Sequence, residues 1–409
     1  MKQYENYIDS GTQWIGNVPS HWTLLPLKHY VSFLNVRIPS EISEAAEGFP
    51  YLTMDYLRGR SDKQTMYPKN PTELLLVDEG DIIVLWDGAN AGEFLRAKKG
   101  YLGSTMAKII IDESKYNKSY FYYLLFSITG IAKDFANGTT IPHFDSKVLT
   151  DYTYPCPSFN EQCAIASYLD IKVGQIDNII TEKEAMVEDM QSYRKSIISE
   201  AVTKGLDSGV SKKDSGVEWI GEVPRHWKVL KIGYVFENLD YLREPISSEH
   251  RERKNPQYDY YGASGVIDKI DYYNVDDKVL LIGEDGANLV MRNLPLVYKA
   301  EGKFWVNNHA HILKPKDDDY DYLAHVLEAA DYSNYITGSA QPKLSQENLH
   351  SVMIPIPPIN EQKEIAFFLN HTCEKLSTTI DELITQIEDL KSYKSSLISE
   401  AVTGKIDLR

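Results

Sequence analysis

The chain has 409 residues, 43% of them hydrophobic, and a formal net charge of −16 at pH 7. That composition supports two or three folded domains and excludes a disordered chain. Its first residues hold no apolar core of a secretion signal, and no apolar run of about 18 residues is present to span a bilayer. Cys156, Cys163 and Cys373 lack C-x-x-C spacing. The expectation is a cytoplasmic protein with no metal site of its own. An acidic balance argues against nucleic acid, because phosphate contacts need Lys and Arg. The acid is unevenly spread, however: residues 1–150 carry a net charge of −2 and residues 215–350 a net of −7.

The chain opens on Ser10–Trp22 (S-G-T-Q-W-I-G-N-V-P-S-H-W), which returns as Ser215–Trp227 (S-G-V-E-W-I-G-E-V-P-R-H-W). Two tryptophans, a glycine and a proline predict an aromatic-packed entry turn. His21 and His226 have no second histidine at metal spacing and read as packing residues. Strands are predicted at Leu74–Val77, Asp81–Trp86, Lys108–Ile111, Lys278–Ile282 and His311–Leu313. A D-G-A-N turn follows the second and fourth, at Asp87–Asn90 and Asp285–Asn288. Tyr120–Phe126 and Tyr320–Leu327 read as short amphipathic helices. Loops at Gly138–Pro142 and Gly338–Pro342 lie ahead of the longest elements. The segments Arg58–Lys63 and His250–Asn255 have no match in the other half.

Those longest elements start at Asn160-Glu161-Gln162 and Asn360-Glu361-Gln362, and end in S-E-A-V-T at Thr203 and Thr403. Each reads as one helix of about 40 residues, roughly 60 Å long. Pro155, Pro157, Pro355, Pro357 and Pro358 stop any helix entering from upstream, and Gly205 and Gly404 follow the ends. Leu369, Leu376, Leu383, Leu390 and Leu397 fall every seventh residue, with Ala366, Cys373, Ile380, Ile387 and Ala401 between them. The first helix carries Leu169, Ile176, Met190 and Ile197 with Ala166, Val173, Ile180, Val187 and Ala201. Lys183, Arg194 and Lys394 interrupt the seams. Apolar a and d positions over five heptads predict a coiled coil.

The chain is therefore two related halves, an α+β protein with two mixed α/β domains. Two long helices join them as an antiparallel coiled coil with internal two-fold pseudosymmetry. The divisions are 1–155 (first domain), 156–207 (first helix), 208–355 (second domain) and 356–409 (second helix). The open alternative is two chains pairing their helices as a dimer.

The twice-repeated S-G-x-x-W-I-G-x-V-P-x-H-W, the N-E-Q helix start behind its prolines and the S-E-A-V-T end together resemble the specificity subunit of type I restriction-modification systems. Tyr260–Ile267 (Y-Y-G-A-S-G-V-I), Gly283–Asn288 and Trp305–Leu313 (W-V-N-N-H-A-H-I-L) are similar to a common variant of that family's target-recognition domain. The resemblance implies a non-catalytic reader of double-stranded DNA, with each domain taking half of a split, asymmetric site. The helices would set the gap and dock two adenine-methyltransferase subunits, and restriction/motor subunits would complete the complex. S-adenosylmethionine, Mg and ATP would belong to those partners, with no cofactor on this chain. A rod of that length spans about 18 base pairs at most.

Base reading favours Arg, Lys, Asn and Gln from loops that reach a groove. The candidates are Arg58, Arg60, Lys63, Gln64, Lys98 and Lys99 in the first domain and Arg251, Arg253, Lys254 and Asn255 in the second. Thr139, Thr140 and His143, and Ser339, Gln341 and Lys343, are candidates for phosphate. Asn255–Tyr258 (N-P-Q-Y) differs by one residue from a methyltransferase N-P-P-Y, but no glycine-rich cofactor loop precedes it. Glu301 and Lys303 with Asp285 loosely mimic a nuclease E-x-K. His309 and His311 align with Met106 and Lys108 of the first half, which argues against a shared metal site. No phosphate-binding G-x-x-x-x-G-K-[ST] exists. A coiled-coil scaffold with two protein-binding domains, and a nuclease acting alone, are the readings from other classes.

Overall fold

A computed structural model describes the chain except residues 1, 36–37, 40, 60–64, 137–141, 248, 250, 252–255 and 339–340 and the Glu73 side chain. The chain divides into two units, Met1–Glu184 with Thr385–Arg409, and Ala185–Ile384. The long helices are Phe159–Lys204 and Ile359–Val402, of 46 and 44 residues. Each unit holds one mixed α/β domain, the start of one long helix and the end of the other.

In the first unit a four-stranded antiparallel sheet runs in the order Phe94–Arg96, Ile82–Leu85, Met106–Ile111, Val31–Asn35. All four residues of Ile82–Leu85 are buried. That uninterrupted apolar run suits a strand covered on both faces. A second sheet places Gly100–Leu102 between Tyr51–Leu52, which is parallel, and Leu76–Val77, which is antiparallel. The second unit merges these parts into one six-stranded sheet. Its order is Phe236–Asn238, Ala310–Pro315, Val275–Gly283, Val297–Val306, Tyr258–Gly262, Gly265–Ile270. Val297–Val306 is ten residues long and does the work of two strands of the first unit. Its charged centre, Lys299 to Lys303, hides it from a reading that looks for apolar runs.

The register corrects one sequence alignment. The Trp86 N–H donates to Thr105 O, and the Glu284 N–H donates to His309 O, each at 2.8 Å. Met106 pairs with Leu85 and Ala310 with Gly283. His309 therefore matches Thr105, and His311 matches Ala107, one residue from the expected Met106 and Lys108. In a strand such a shift exchanges the two faces. Lys108 thus matches Ile312 rather than the buried His311.

The start of each long helix is fastened by the repeated motifs. His21 Nε2 and Trp22 Nε1 meet the Glu161 carboxylate at 2.8 and 3.3 Å. His226 and Trp227 meet Glu361 at 2.6 and 2.8 Å. Tyr4 packs its ring on His21 and Trp22, which bears out the aromatic entry turn. Buried Gln162 accepts the Asn117 N–H at 2.7 Å and donates to Lys115 O and Pro157 O. Gln362 likewise accepts the Asp319 N–H at 2.8 Å and donates to Asp318 Oδ1 and Pro357 O. The first helix adds a capping box, Ser158 with Glu161, where the second has Pro358.

The end of the opposite helix closes each unit. Tyr120 donates to Pro155 O at 3.2 Å and lies 3.3 Å from Val402 O in the first unit. Tyr322 donates to Pro355 O at 2.8 Å and lies 3.4 Å from Val202 O in the second. Gly404, at φ +73°, backs onto Pro19 and Trp22 so closely that a Cβ would lie 2.3 Å from Pro19 Cδ. Only glycine fits there. The Asp407 N–H then donates to Lys2 O at 2.9 Å.

Within the first unit Lys394 meets Asp177 at 2.7 Å and Lys391 meets Glu184 at 2.9 Å, while Lys183 reaches Gln386 at 2.7 Å. Partner numbers fall from 394 to 386 as the first helix advances from 177 to 183. The helices therefore run antiparallel. In the second unit Arg194 reaches Ser377, and Ala201 and Val202 join the same core as Ile365, Ala366 and Leu369. The chain thus pairs its own two helices. The polar interruptions of the seam, Lys183, Arg194 and Lys394, all find polar groups on the facing helix. Leu169, Ile176, Ile180, Leu369, Ile380, Leu383, Ile387 and Leu397 are buried, while Val187, Met190, Ile197, Leu376 and Leu390 are half-buried.

Candidate nucleic-acid interface

Motifs far apart in sequence converge in each domain. In the second, the G-A-S-G hairpin, the G-E-D-G-A-N turn and the N-N-H turn close on one another. The Asn307 N–H donates to Tyr261 O at 3.1 Å. His309 Nδ1 lies 2.8 Å from Asp285 Oδ2. A Cβ at Gly283 would lie 2.7 Å from the Ala263 carbonyl oxygen, so the motif's first glycine is required by close approach. The loop ahead of the helix joins them: the Gly286 N–H donates to Pro342 O at 3.0 Å, and Lys343 forms a β-bridge with Asp285.

The first domain repeats that last connection. The Gly88 N–H donates to Pro142 O at 3.0 Å, and Asp87 bridges to His143. His143 Nδ1 lies 2.5 Å from Asp87 Oδ1. The aspartate of D-G-A-N thus meets a histidine in both domains, supplied from different elements: the pre-helix loop in the first and the N-N-H turn in the second. Phe33, Trp86, Phe94 and Phe144 stack edge-on beneath this site, with centroids 5.3 to 6.1 Å apart.

A charged chain underlies the second site. Lys343 meets Glu284 at 3.1 Å, Glu284 meets Arg243, Arg243 meets Asp240 at 3.5 Å, and Asp240 meets His311 Nδ1 at 2.6 Å. His311 is fully buried, and its Nε2 faces Leu344 O at 2.8 Å. A carbonyl only accepts, so Nε2 carries a proton. Burial alone would raise the carboxyls of Glu284 and Asp240. Hydrogen bonds from Arg243 and Lys343 on Glu284, and from His311 on Asp240, outweigh it and hold both below the usual carboxylate range. In the first domain burial of Asp81 is likewise outweighed by Lys108 and Lys118.

The predicted contact residues fall into three groups. Arg60, Lys63, Gln64, Thr139, Thr140, Arg253, Lys254, Asn255 and Ser339 lie outside the described residues. Arg58, Lys98, Lys99, Arg251 and Lys343 each have a partner among the described residues, with Lys98, Lys99 and Lys343 still exposed. Arg58 pairs with Glu93 at 2.9 Å, which Lys133 also approaches. Lys98 lies over the Tyr56 ring, and Lys99 lies over Phe49 and near Asp78. Arg251 pairs with Asp268 at 3.1 Å and lies 4.3 Å from the Tyr260 ring centre. Exposed Gln341 sits beside the Pro342–Lys343 bridge, and His143 on Asp87, so these two and Lys343 border the converged motifs. Sequence reasoning missed Asn307, Asn308 and Arg243. The signal available was the N-N-H run itself, three polar residues ahead of an apolar strand.

The misleading motifs have structural roles. Tyr258, at the start of the strand Tyr258–Gly262, packs its ring on Tyr273, and Glu301 lies 3.4 Å from Lys278. Among the described residues no group of three or more His, Cys, Asp or Glu is placed to hold a metal ion. No described helix is long and apolar enough to cross a membrane.

A family model described as type I restriction modification DNA specificity domain matches residues 19–188 and again 224–389. The specificity subunit of the type I restriction enzyme MjaVIII of Methanocaldococcus jannaschii is 26% identical across 96% of this chain and 94% of its own length. That of Escherichia coli EcoBI is 28% identical across 90% of this chain and 82% of its own. A chain from a solved structure on complex assembly and conformational transition of the type I restriction-modification system shares the fold. Its TM-score is 0.66 at 13% identity, covering 95% of this chain and 99% of that one. Two copies of the domain, each matched over one globular part and the helix that follows it, show that the chain belongs to the type I restriction-modification DNA specificity family, as a DNA-recognition subunit without catalysis of its own.

Proposed function

We propose that the globular part of each unit reads one half of a bipartite, asymmetric double-stranded DNA site. The paired helices set the gap and dock two adenine-methyltransferase subunits, and restriction/motor subunits join for cleavage. S-adenosylmethionine, Mg and ATP are bound by those partners, and the complex works in the cytoplasm. One observation carries the reading: the helix anchors recur in both units, while the converged loops differ outside the shared D-G-A-N turn and its proline contact. A frame repeated faithfully with unlike tips suits two readers of different sequence. Base and phosphate contacts come from the converged motifs, with His143, Gln341 and Lys343 at their border, and Arg60, Lys63, Gln64, Arg253, Lys254 and Asn255 are further candidate contacts. The net charge of −16 means that tight binding draws on basic surface of the methyltransferase partners.

The test is co-expression with the cognate methyltransferase and sequencing of modified adenines. A split motif with a fixed gap, absent without this chain, is the expected result. Replacing residues 23–150 with a relative's domain then changes one half-site only. No modified motif, with the partner folded and bound, would sink the reading in favour of a protein-binding scaffold.

A further inference from the structure

Asn308 stands out among the polar residues of the converged site. The residues on either side of it in the turn are committed to structure. The Asn307 side chain accepts the His309 N–H at 2.8 Å, which closes the turn. Asn307 itself is buried and tied to Tyr261, and His309 is tied to Asp285. Arg243 lies beneath, its Nη1 3.5 Å from Asn308 O and 3.4 Å from Ala310 O. The Asn308 backbone is thereby pinned on both sides, while its side chain is exposed and has no hydrogen bond to any described residue.

The turn does not need an asparagine at this position. Arg292 is the only non-glycine residue with positive φ among those described, so Asn308 does not occupy the left-handed region that favours Asn. The side-chain bond that shapes the turn comes from Asn307. The corrected register places Ser104 at the equivalent position of the first unit, where the Ser104 N–H donates to the Tyr51 hydroxyl at 2.9 Å. The same rigid position thus carries an amide in one domain and a short hydroxyl in the other.

We propose that Asn308 is a base-reading residue of the second domain, its amide meeting the N6 and N7 edge of an adenine in the major groove. An amide offers one donor and one acceptor at the spacing adenine presents. A pre-ordered turn lets it do so at little cost in side-chain and loop ordering. The assignment rests on the DNA-reading function proposed above and adds the residue and the base.

The experiment is the modified-adenine map for wild type, Asn308→Ala and Asn308→Ser, each co-expressed with the cognate methyltransferase. The first half-site and the gap stay as in wild type. In the second half-site, preference at one A·T pair falls roughly five- to hundredfold, the range expected for one lost bidentate contact. An unchanged preference at every position in both variants overturns the proposal. So does a uniform loss of modification with the motif intact, which would make Asn308 a part of the turn's structure. Asn308→Ser, which installs the first unit's residue, serves if the alanine variant is insoluble. A wild-type map without any split motif would instead remove the underlying function, and this assignment with it.

Discussion

The two units agree where they hold the helices and disagree where they face outward. In each, a histidine and a tryptophan from the entry turn bond one glutamate, one buried glutamine ties the helix start to two carbonyl-rich turns, and one tyrosine links the start of one helix to the end of the other. At the converged loops the same aspartate is met by His143 in one unit and His309 in the other, and Ser104 stands where Asn308 does. Most repeated residues lie on the long helices or bond to them, and the shared D-G-A-N turn is the exception. The diverged ones border loops that end in solvent. Assembly and reading are therefore separable in this chain, and substitutions can test the separation.

The largest effects belong to the seam. Leu169 and Leu369 are fully buried, whereas Met190 is half-buried. Truncating Leu169→Ala or Leu369→Ala removes buried methyls and leaves a cavity, destabilising by about 3 kcal/mol each, while Met190→Ala costs about 1 kcal/mol. Urea unfolding of each variant measures the difference. Equal losses at all three positions would mean that the seam is uniform and that the ends are not its anchors. Next come Gln162→Leu and Gln362→Leu. Each strands one buried N–H and at least one carbonyl, so each costs roughly 2 to 3 kcal/mol. The two values should lie close together, because two of the three hydrogen bonds correspond, while the third goes to the Lys115 carbonyl in one unit and to the Asp318 carboxylate in the other. A clear inequality would break the equivalence of the two helix starts.

The anchors were legible in the sequence because they are written twice. Trp22 and Trp227, Gln162 and Gln362, and most apolar heptad positions recur with little change of spacing, and recurrence separates constraint from chance. The antiparallel arrangement followed from the same repeat, whereas pairing within one chain rather than between two is seen only in the contacts of Lys183, Arg194, Lys391 and Lys394. Less was legible at the loops. Basic residues such as Arg58 and Arg251 invite a phosphate, but charge does not reveal that Glu93 or Asp268 already holds them. The one-residue misalignment of His309 and His311 arose because the shifted alignment pairs Ala107 with Ala310, while the true register pairs no identical residues across that turn. Only the ladder, with Glu284 on His309 and Trp86 on Thr105, fixes it.

Acid should act on both units through their buried carboxylates. Asp81, Asp240 and Glu284 are held below their ordinary range, so each stabilises the fold above its unfolded-state pKa. That contribution is lost as pH falls through the lowered folded-state value. Melting temperature therefore drops on going from neutral to acid pH. Asp240→Asn, which cannot titrate and weakens the His311 and Arg243 contacts, lowers stability at neutral pH and flattens the acid limb of the second unit. An unchanged slope would show that the Lys343-to-His311 chain is not what holds that edge together.

The smallest effect is the most informative about the frame, because it compares two copies of one contact. His21 and His226 are about equally exposed, at 43% and 44%, yet their glutamates differ: the Glu161 side chain is 9% exposed and that of Glu361 is 37%. Removing His21 takes a hydrogen-bond partner from a carboxylate that water barely reaches, leaving Ser158 and Trp22 to hold it. His21→Ala should cost roughly 1 kcal/mol. Removing His226 exposes Glu361 to solvent that can replace the lost contact, so His226→Ala should cost less than about 0.5 kcal/mol. Equilibrium denaturation at neutral pH compares the two directly. Equal costs would mean that the capping box at Ser158 fully absorbs the loss, and that the two helix starts differ in sequence without differing in strength.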